Sequence, residues 1–423
     1  MLNYVSADEA VLEIKSNDNV FIHSAAATPQ ELIKSMVKRS KDLSNVHIYH
    51  MHTEGDASYA GDIYRENFKV HSFFNGGNMR EATNNHLVSN YVPIFLSDIP
   101  HLFYNQKVEL DVAMVQLTPP DKHGMCSLGP SVDISIAALK TAKKIIAQIN
   151  PRLPRTFGDQ IHCSKITKAV LVEAPLYQSK ELISSPVTDA IGKNIAGLIE
   201  DGSTLQLGIG AIPNAVLSRL GNHKDLGIHT EMFSDGVISL RDKGVITGKY
   251  KVKHPGKIVS SFVIGSQKIY DFIDDNPEVL LLDCSYTNNP HIIAQNPKVV
   301  AINSAIEIDL TGQVCADSIG PRIYSGIGGQ MDFIRGAALS KGGKPIIAIP
   351  SKTSKGESKI VPFLKPGAGV VTTRAHVQYV VTEYGVAYLH GLTLEERSKA
   401  LINIAAPEHR EDLSRKFHEL WLR

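Results

Sequence analysis

A strand, a glycine-containing loop and a helix follow one another in Leu205-Gln-Leu-Gly-Ile-Gly-Ala-Ile-Pro-Asn-Ala-Val216. Pro213 fits the first turn of that helix, where a missing N–H costs little. The same order recurs near the N-terminus, in Val20-Phe-Ile-His-Ser-Ala-Ala-Ala-Thr-Pro-Gln-Glu-Leu32. Each copy is followed by a His-Thr-Glu segment, at His52-Thr-Glu54 and at His229-Thr-Glu231. The recurrence predicts two related halves.

Short apolar runs alternate with amphipathic stretches along the whole chain, which is typical of mainly parallel sheets covered by helices. The fold expected is therefore α/β, with two similar halves, each a mixed sheet flanked by helices, and with the active site between them. We place the halves at residues 1–190 and 191–423, because Ser184-Ser-Pro-Val breaks the pattern near their boundary. The predicted helices include residues 29–39, 133–146, 189–200, 214–220, 394–404 and 407–422.

The composition narrows the class of protein. The chain has 423 residues, with 44 Lys and Arg against 43 Asp and Glu, a formal net charge of +1. Such a balance argues against a general nucleic-acid binder. The four cysteines form no CxxC pair, and we find neither a signal peptide nor an apolar run long enough to span a membrane. A neutral cytoplasmic α/β enzyme is the class that remains.

The loop from Gly208 to Ile212 has two interpretations. Glycines between a strand and a helix let the backbone approach a ligand, and a helix N-terminus attracts anions. A dinucleotide fingerprint is excluded, because Pro213 stands where GxGxxG requires glycine. The alternative is a tight strand-to-helix turn without a ligand, and the motif alone does not separate the two.

Glu231 stands where a short strand, residues 227–230, is predicted to end. Open α/β sheets place ligand chemistry at such strand ends, so this carboxylate could be a general base, a metal ligand or a nucleophile. A solvated surface glutamate is the ordinary alternative. His229 and Glu231 lack an evident third ligand, and we predict no metal.

A second glycine-rich segment is Tyr324-Ser-Gly-Ile-Gly-Gly-Gln-Met-Asp-Phe333. Three glycines in four positions can present backbone N–H groups to an oxyanion. The five lysines that follow predict a local positive cluster suited to phosphate groups, with a solvated basic loop as the alternative: Lys341, Lys344, Lys352, Lys355 and Lys359.

Taken in order, these segments resemble the acetyl-CoA hydrolase/transferase group of family I CoA-transferases, and within it the 4-hydroxybutyrate and butyryl-CoA:acetate enzymes. The resemblance rests on Gly208 to Val216, His229 to Gly236 and Ser325 to Phe333, and in the first half on Pro119-Pro-Asp-Lys-His-Gly-Met-Cys-Ser-Leu-Gly-Pro130. It covers nearly the whole chain.

The resemblance implies that Glu231 is the nucleophile and forms a glutamyl-CoA thioester in a ping-pong reaction. It assigns no catalytic role to Glu54, which stands in the equivalent His-Thr-Glu of the first half. It places His23 near the active centre, with a satisfied strand-end histidine as the alternative. The residues that it assigns to coenzyme A, the thioester turn included, are Gly208, Ile209, Gly210, Ala211, Ile212, Asn303, Gly326, Gly328 and Gly329; from its local charge we add Lys352.

Three functions are left open at this point. The first is CoA transfer between a short-chain acyl-CoA and a monocarboxylate such as 4-hydroxybutyrate or butyrate. The others are acetyl-CoA hydrolysis on the same scaffold and a non-catalytic CoA-binding module. The resemblance also implies a homodimer or higher homo-oligomer. The first-half loop Asn75-Gly-Gly-Asn78 and Arg80 either help to close the site or form a simple turn; we favour the turn.

Overall fold

The computed structural model describes residues 2–85, 88–179, 184–208 and 210–421. The chain divides into two compact units. Unit 1 consists of Met1–Lys180, Val259–Thr287 and Ile323–Gly328, and unit 2 of Glu181–Ile258, Asn288–Arg322 and Gly329–Arg423. Unit 1 therefore includes two segments from the second half of the sequence, so the two units are not separated by a single boundary along the chain.

The described residues form strands connected by α-helices or directly by loops. The strands are β1 (Asn19–Ile22), β2 (Val46–His50), β3 (Phe68–Ser72), β4 (Ser89–Tyr91), β5 (Val112–Leu117), β6 (Met125–Ser127), β7 (Lys144–Ile149), β8 (Phe157–Gly158), β9 (Gln160–His162), β10 (Lys168–Leu171), β11 (Thr204–Leu207), β12 (Gly227–Ile228), β13 (Met232–Phe233), β14 (Ile258–Ser260), β15 (Phe262–Val263), β16 (Val279–Leu281), β17 (Val299–Ser304), β18 (Glu307–Asp309), β19 (Val314–Cys315), β20 (Ser318–Ile319), β21 (Arg322–Ile323), β22 (Lys344–Ala348), β23 (Ile360–Val361), β24 (Tyr379–Thr382) and β25 (Gly385–Tyr388). The α-helices are α1 (Ala7–Ala10), α2 (Gln30–Lys38), α3 (Arg80–Asn84), α4 (Ile99–Tyr104), α5 (Ser135–Thr141), α6 (Pro186–Ala196), α7 (Ala211–Leu217), α8 (Gly236–Asp242), α9 (Gln267–Ile273), α10 (Cys284–Thr287), α11 (Pro290–Ile293), α12 (Gln330–Leu339), α13 (Leu394–Asn403) and α14 (Pro407–Trp421).

The main sheets of the two units share the order and the parallel pairing of five strands. In unit 1 the order is β10-β7-β5-β1-β2-β3-β4, and every neighbouring pair is parallel. In unit 2 the order is β12-β11-β17-β22-β24-β25, parallel except for the antiparallel edge pair β24–β25. Strands β1, β2, β5, β7 and β10 therefore correspond to β11, β12, β17, β22 and β24. The prediction of an α/β fold with two similar halves is confirmed.

The parallel strands are apolar because helices cover them. All six residues of β5 are buried, as are all four of β11, which is the usual composition of a parallel sheet covered on both faces. The core of unit 1 packs β1, β2, β3 and β5 against α1 and α2. In unit 2, α13 and α14 pack against strands β22, β24 and β25.

One predicted helix, residues 133–146, is wrong at its C-terminal end. The helix α5 ends at Thr141, and Lys144-Ile-Ile-Ala-Gln-Ile149 forms the buried strand β7. Neither glycine nor proline stands between the two elements, so the sequence offers no punctuation at this boundary. In the described part of the chain, no helix combines the length and apolar character needed to cross a membrane.

Candidate active site

The strands of unit 2 bring the predicted segments to one edge of the sheet. Strands β12, β11, β17 and β22 are parallel neighbours, so their carboxyl ends share an edge, as in other open α/β folds. Glu231 follows β12, Gly208 and Gly210 follow β11, and Asn303 is the last residue but one of β17. The prediction that Glu231 stands just beyond a strand is confirmed, although that strand, Gly227–Ile228, is shorter than expected.

The backbone on both sides of Glu231 is firmly held. Thr230 is buried, and its hydroxyl lies 3.0 Å from the carbonyl of Leu207 and 2.8 Å from that of Met232. The ammonium group of Lys251 donates to the carbonyl of Ile228 over 2.7 Å. Burial lowers the pKa of Lys251 to about 7. These contacts fix the segment that presents the Glu231 carboxylate, whose residue is half-buried.

The Glu231 carboxylate lies against a glycine and an amide. Asn288 Nδ2 donates to Glu231 Oε2 over 3.3 Å. A Cβ placed on Gly329 would stand 2.1 Å from Glu231 Oε2 and 2.2 Å from Asn288 Nδ2. No side chain fits at position 329 while the carboxylate keeps this place, so the glycine is required by close approach.

Sequence reasoning did not single out two residues of this cluster. Asn288 stands in Tyr286-Thr-Asn-Asn-Pro290, which matches no motif. Asp332 belongs to the glycine-rich segment but was given no role. It is only 4% exposed, and its Oδ2 accepts from Asn288 Nδ2 over 3.4 Å. The signal available for Asp332 was a carboxylate inside the otherwise apolar start of α12, Met331-Asp-Phe-Ile334.

The loop after β11 has an open face. Among the described residues, no atom lies within 4 Å of a Cβ placed on Gly208, so the backbone at this position can be approached by a ligand. Gly210 has φ +134°, a conformation that only glycine adopts readily, and precedes α7. Ala211 is the first residue of α7, Ile212 is buried, and Pro213 lies in the first turn. Ile209 lies outside the described residues.

The remaining residues predicted for coenzyme A in unit 2 make contacts within the protein. Asn303 Nδ2 donates to Gln206 Oε1 over 3.0 Å, which joins the ends of β17 and β11. Lys352 forms an ion pair with Glu408 of α14.

The five lysines do not form one cluster. Lys344 lies at the amino end of β22, where it binds Glu200 over 2.7 Å. Lys298 binds the same carboxylate, and hydrogen bonds from the two lysines lower the pKa of Glu200 to about 2. Lys352 follows the opposite end of β22. The strand therefore separates Lys344 from Lys352, and the prediction of a single positive cluster is wrong.

The glycine turn ahead of α12 is anchored in unit 1 as far as Gly328. A Cβ on Gly326 would lie 2.9 Å from Phe74 Cα, so the chain passes close to that backbone. Asn75 is buried, and both its backbone N–H and its amide donate to the carbonyl of Ser325. The carbonyl of Gly328, which has φ +58°, accepts from the N–H of Leu96. The Asn75 loop thus forms a turn that holds the 325–328 segment.

His23 lies at the end of β1 in unit 1 and is fully buried. Its Nε2 donates to the carbonyl of Ser131 over 2.6 Å, and the N–H of Gln116 donates to its Nδ1 over 3.1 Å. Burial lowers the pKa of His23, although the nearby charge of Asp133 opposes the shift. Both ring nitrogens therefore bind backbone, and the neutral ring holds two segments of unit 1 together.

Glu54 occupies the corresponding place in unit 1. Burial raises the pKa of its carboxyl group, while a hydrogen bond with the side chain of Tyr177 acts in the opposite direction. Burial also lowers the pKa of the neighbouring His52 to about 4. In the described ranges, no group of three or more His, Cys, Asp or Glu side chains is arranged to hold a metal ion.

The sequence matches two family models. The acetyl-CoA hydrolase/transferase N-terminal domain matches residues 3–191, and the acetyl-CoA hydrolase/transferase C-terminal domain matches residues 265–417. The predicted resemblance is thereby confirmed.

Curated relatives and solved structures extend these matches. A succinyl-CoA:acetate/propanoyl-CoA:succinate CoA transferase of Fasciola hepatica is 55% identical over 97% of this chain and 86% of its own length. A 4-hydroxybutyrate coenzyme A transferase of Clostridium kluyveri is 48% identical over 98% of this chain and 96% of its own. The structure of 4-hydroxybutyrate CoA-transferase from Porphyromonas gingivalis is 40% identical, with a TM-score of 0.85 and coverage of 99% of this chain and 97% of that chain. The chain belongs to the acetyl-CoA hydrolase/transferase family and is an enzyme of the CoA-transferase type.

Proposed function

We propose that this enzyme moves coenzyme A between a short-chain acyl-CoA, such as acetyl-CoA, and a small carboxylate, with Glu231 as the nucleophile. The carboxylates proposed are monocarboxylates such as 4-hydroxybutyrate and butyrate. Succinate and propionate join them, because the relative of Fasciola hepatica is named for succinyl and propanoyl transfer. The reaction is ping-pong, through a glutamyl-CoA thioester.

In the first half-reaction, one oxygen of Glu231 attacks the thioester carbonyl of the acyl-CoA. The C–S bond breaks, which gives an acyl-glutamyl anhydride and CoA thiolate. The thiolate then attacks the glutamyl carbonyl of the anhydride, and the acyl group leaves as a free carboxylate. Glu231 now carries coenzyme A as a thioester.

The acceptor carboxylate reverses these steps. It attacks the glutamyl carbonyl and displaces CoA thiolate, which gives a second anhydride. The thiolate attacks the acceptor's carbonyl, releases acceptor acyl-CoA and restores the Glu231 carboxylate. Thioester and anhydride are similarly activated, so acyl energy is kept without ATP, provided that water is excluded.

The observation that carries this proposal is the setting of Glu231. A half-buried carboxylate stands at the carboxyl edge of a parallel sheet, beside Gly329 and within hydrogen-bonding distance of Asn288. An N–H donor at Oε2 favours the ionised form needed for attack. The same donor can then stabilise negative charge on the glutamyl carbonyl oxygen when CoA thiolate or the acceptor attacks it.

The proposed coenzyme A contacts are the loop 208–212, Asn303, Lys352 and the turn that contains Gly326, Gly328 and Gly329. The open backbone at Gly208 supports a close ligand approach there. His23 stays a predicted residue of the active centre. Its buried, doubly bonded ring supports a role in positioning the loop around Ser131.

The decisive experiment is a search for the covalent intermediate. Enzyme incubated with acyl-CoA alone and reduced with borohydride is digested and analysed by mass spectrometry. We expect the modification at Glu231, and none in Glu231→Gln. A modification at Glu54 would overturn the choice of nucleophile. Absence of turnover in the wild type as well as in Glu231→Ala, with CoA affinity the same in both, would support the non-catalytic binding module instead.

A substrate panel settles the acyl specificity and the hydrolase alternative. Acetyl-CoA is offered with 4-hydroxybutyrate, butyrate, propionate, acetate, succinate or no acceptor, and both acyl-CoA products and free CoA are measured. Transfer in excess of CoA release supports the transferase. Release of free CoA at the same rate with and without an acceptor would favour hydrolysis. We further propose a homodimer or higher homo-oligomer, which light scattering of the purified enzyme tests.

A further inference from the structure

A buried carboxylate beside the proposed nucleophile has no part in the reaction described above. The helix α12 begins directly after Gly329. Asp332 is its third residue and is 4% exposed. A buried ionised carboxylate is costly unless hydrogen-bond donors surround it. Its place at the start of the ten-residue helix α12 stabilises a negative charge. The fold thus keeps a polar, ionisable group in a position where an apolar residue would pack more easily.

Asp332 shares a donor with Glu231. The side-chain nitrogen of Asn288 lies 3.3 Å from Glu231 Oε2 and 3.4 Å from Asp332 Oδ2. Asn288 itself is fully buried. An ionised carboxylate only accepts hydrogen bonds, whereas an amide has two N–H donors and one carbonyl acceptor. The two carboxylates therefore both require the nitrogen side of this amide.

The orientation of the amide matters for the chemistry. Rotated by 180°, Asn288 would place its carbonyl oxygen against the nucleophile, and the repulsion would disfavour the ionised carboxylate. The glutamyl carbonyl of the intermediate would lose its donor at the same time. A second acceptor on the nitrogen side makes that rotation doubly unfavourable.

We propose that Asp332 is a positioning residue, which locks the Asn288 amide with an N–H toward Glu231. In this role it acts through Asn288, whose Nδ2 it accepts from. The inference rests on the proposed role of Glu231 as nucleophile.

The test is a double-mutant cycle on Asp332→Asn and Asn288→Ala. The amide of Asp332→Asn has nearly the shape of the carboxyl group but can donate or accept, so it no longer selects one orientation of Asn288. We expect kcat to fall about 10-fold in Asp332→Asn and about 100-fold in Asn288→Ala. The KM for acyl-CoA should change less than about 2-fold, because ground-state binding is not affected. In the Asn288→Ala background, Asp332→Asn should add no further loss.

A matched control separates positioning from stability. Asp309 is another buried carboxylate of unit 2, bonded to Thr311 and Gln313. Asp309→Asn places the same substitution in a network with Thr311 and Gln313. The melting temperatures of both variants are measured, and only Asp332→Asn should slow formation of the Glu231–CoA adduct in a single turnover.

We expect Asp332→Asn to slow adduct formation in the wild-type background. In the Asn288→Ala background it should cause no additional slowing. A wild-type adduct rate in Asp332→Asn overturns the inference. So does a loss that multiplies with that of Asn288→Ala, or an equal slowing in Asp309→Asn. An adduct on a residue other than Glu231 overturns the proposed function itself, and with it this inference, whatever the rates of the Asp332 variants.

Discussion

The two His-Thr-Glu segments occupy corresponding places in two sheets that share the order of five parallel strands. His52-Thr-Glu54 follows β2 beside β1, and His229-Thr-Glu231 follows β12 beside β11. The repeated backbone arrangement therefore places a glutamate after the carboxyl end of a strand in both units. The side chains that contact each carboxylate are different, and this difference supports the proposal that Glu231 attacks the thioester.

In unit 2 the Glu231 carboxylate lies next to an amide N–H donor and to a glycine without a side chain. Asn288 donates to Glu231, and the missing Cβ of Gly329 leaves the space that the carboxylate occupies. In unit 1 the Glu54 carboxyl group is bonded to Tyr177, and burial raises its pKa. Burial thus makes ionisation of Glu54 less favourable than that of a free carboxyl group.

The aspartates near the starts of the corresponding helices show the same divergence. Asp133 of unit 1, ahead of α5, accepts from the hydroxyls of Ser24, Ser131 and Ser135, so its donors come from the loop itself and the end of β1. Asp332 of unit 2, at the start of α12, accepts a hydrogen bond from the Asn288 amide, which also reaches Glu231. In unit 1 these polar side chains bond to one another, whereas in unit 2 they connect to the glutamate that we propose as the nucleophile.

The largest effect expected separates the two glutamates. Glu231→Gln should lower kcat by about 1,000-fold or more, because the amide cannot form the anhydride. Glu54→Gln should still accumulate a CoA adduct at Glu231. Steady-state rates and the mass of the adduct-bearing peptide measure both effects. A dead Glu54→Gln enzyme with an active Glu231→Gln enzyme would exchange the roles of the two units.

The glycine pairs of the two halves provide the second test. Gly329→Ala would place a methyl group 2.1 Å from Glu231 Oε2, so either the carboxylate or α12 must shift. A displacement of about 1 Å at a reacting atom costs on the order of 100-fold in kcat. Gly77→Ala, in the glycine pair of unit 1, meets no atom within 4 Å and should behave as wild type. Equal kcat values for both variants would contradict the placement of Glu231.

The fold could be predicted from the sequence where glycine or proline marks the elements. Helix α2 after Pro29 and strand β11 before Gly208 were located within about one residue. The end of α5 was missed because Lys144 to Ile149 continues an apolar pattern without a break. The strand β2, with His47 and Tyr49 between its buried residues, was not recognised as a strand at all.

The candidate site could be predicted only as far as the motifs reached. Glu231 and Gly329 stand in motifs, and the structure brings them together. Asn288 approaches Glu231 from 57 positions further along the chain, and nothing in its neighbours predicts this. The lysines were predicted to act together because they are near in sequence, but β22 places Lys344 and Lys352 at opposite ends of a strand.

Two histidines of unit 1 predict a pH dependence of stability. Burial lowers the pKa of both His50 and His52 to about 4, from an ordinary value of 6.5. Between these values the unfolded chain binds protons that the folded chain excludes, so the free energy of unfolding falls as the pH falls. At pH 5 each histidine should cost about 2 kcal/mol relative to pH 7.5.

Urea unfolding at both pH values measures this effect. His50→Phe removes one of the two groups and should reduce the difference by about half, since the ring stays packed against Tyr59. The exposed His291 of unit 2 provides the control, and His291→Gln should leave the pH dependence as it is in the wild type. A stability that does not change between the two pH values would show that neither histidine excludes protons in the folded state.

The smallest effect concerns the segments that follow the equivalent strands β7 and β22, where Arg152 and Lys352 stand after a proline in each unit. If Lys352 binds a phosphate of coenzyme A, Lys352→Ala should raise the KM for acyl-CoA about 3-fold to 10-fold and leave kcat unchanged, because an exposed charge contact contributes about 1 kcal/mol. Arg152→Ala should not alter the KM. Glu408→Gln removes the ion pair and releases Lys352, so it should leave the KM unchanged or lower it. If Lys352→Ala and Glu408→Gln raise the KM equally, the ion pair supports the loop and Lys352 does not itself bind coenzyme A. The two units would then differ in the setting of Glu231 but not in a charged contact with coenzyme A after β22.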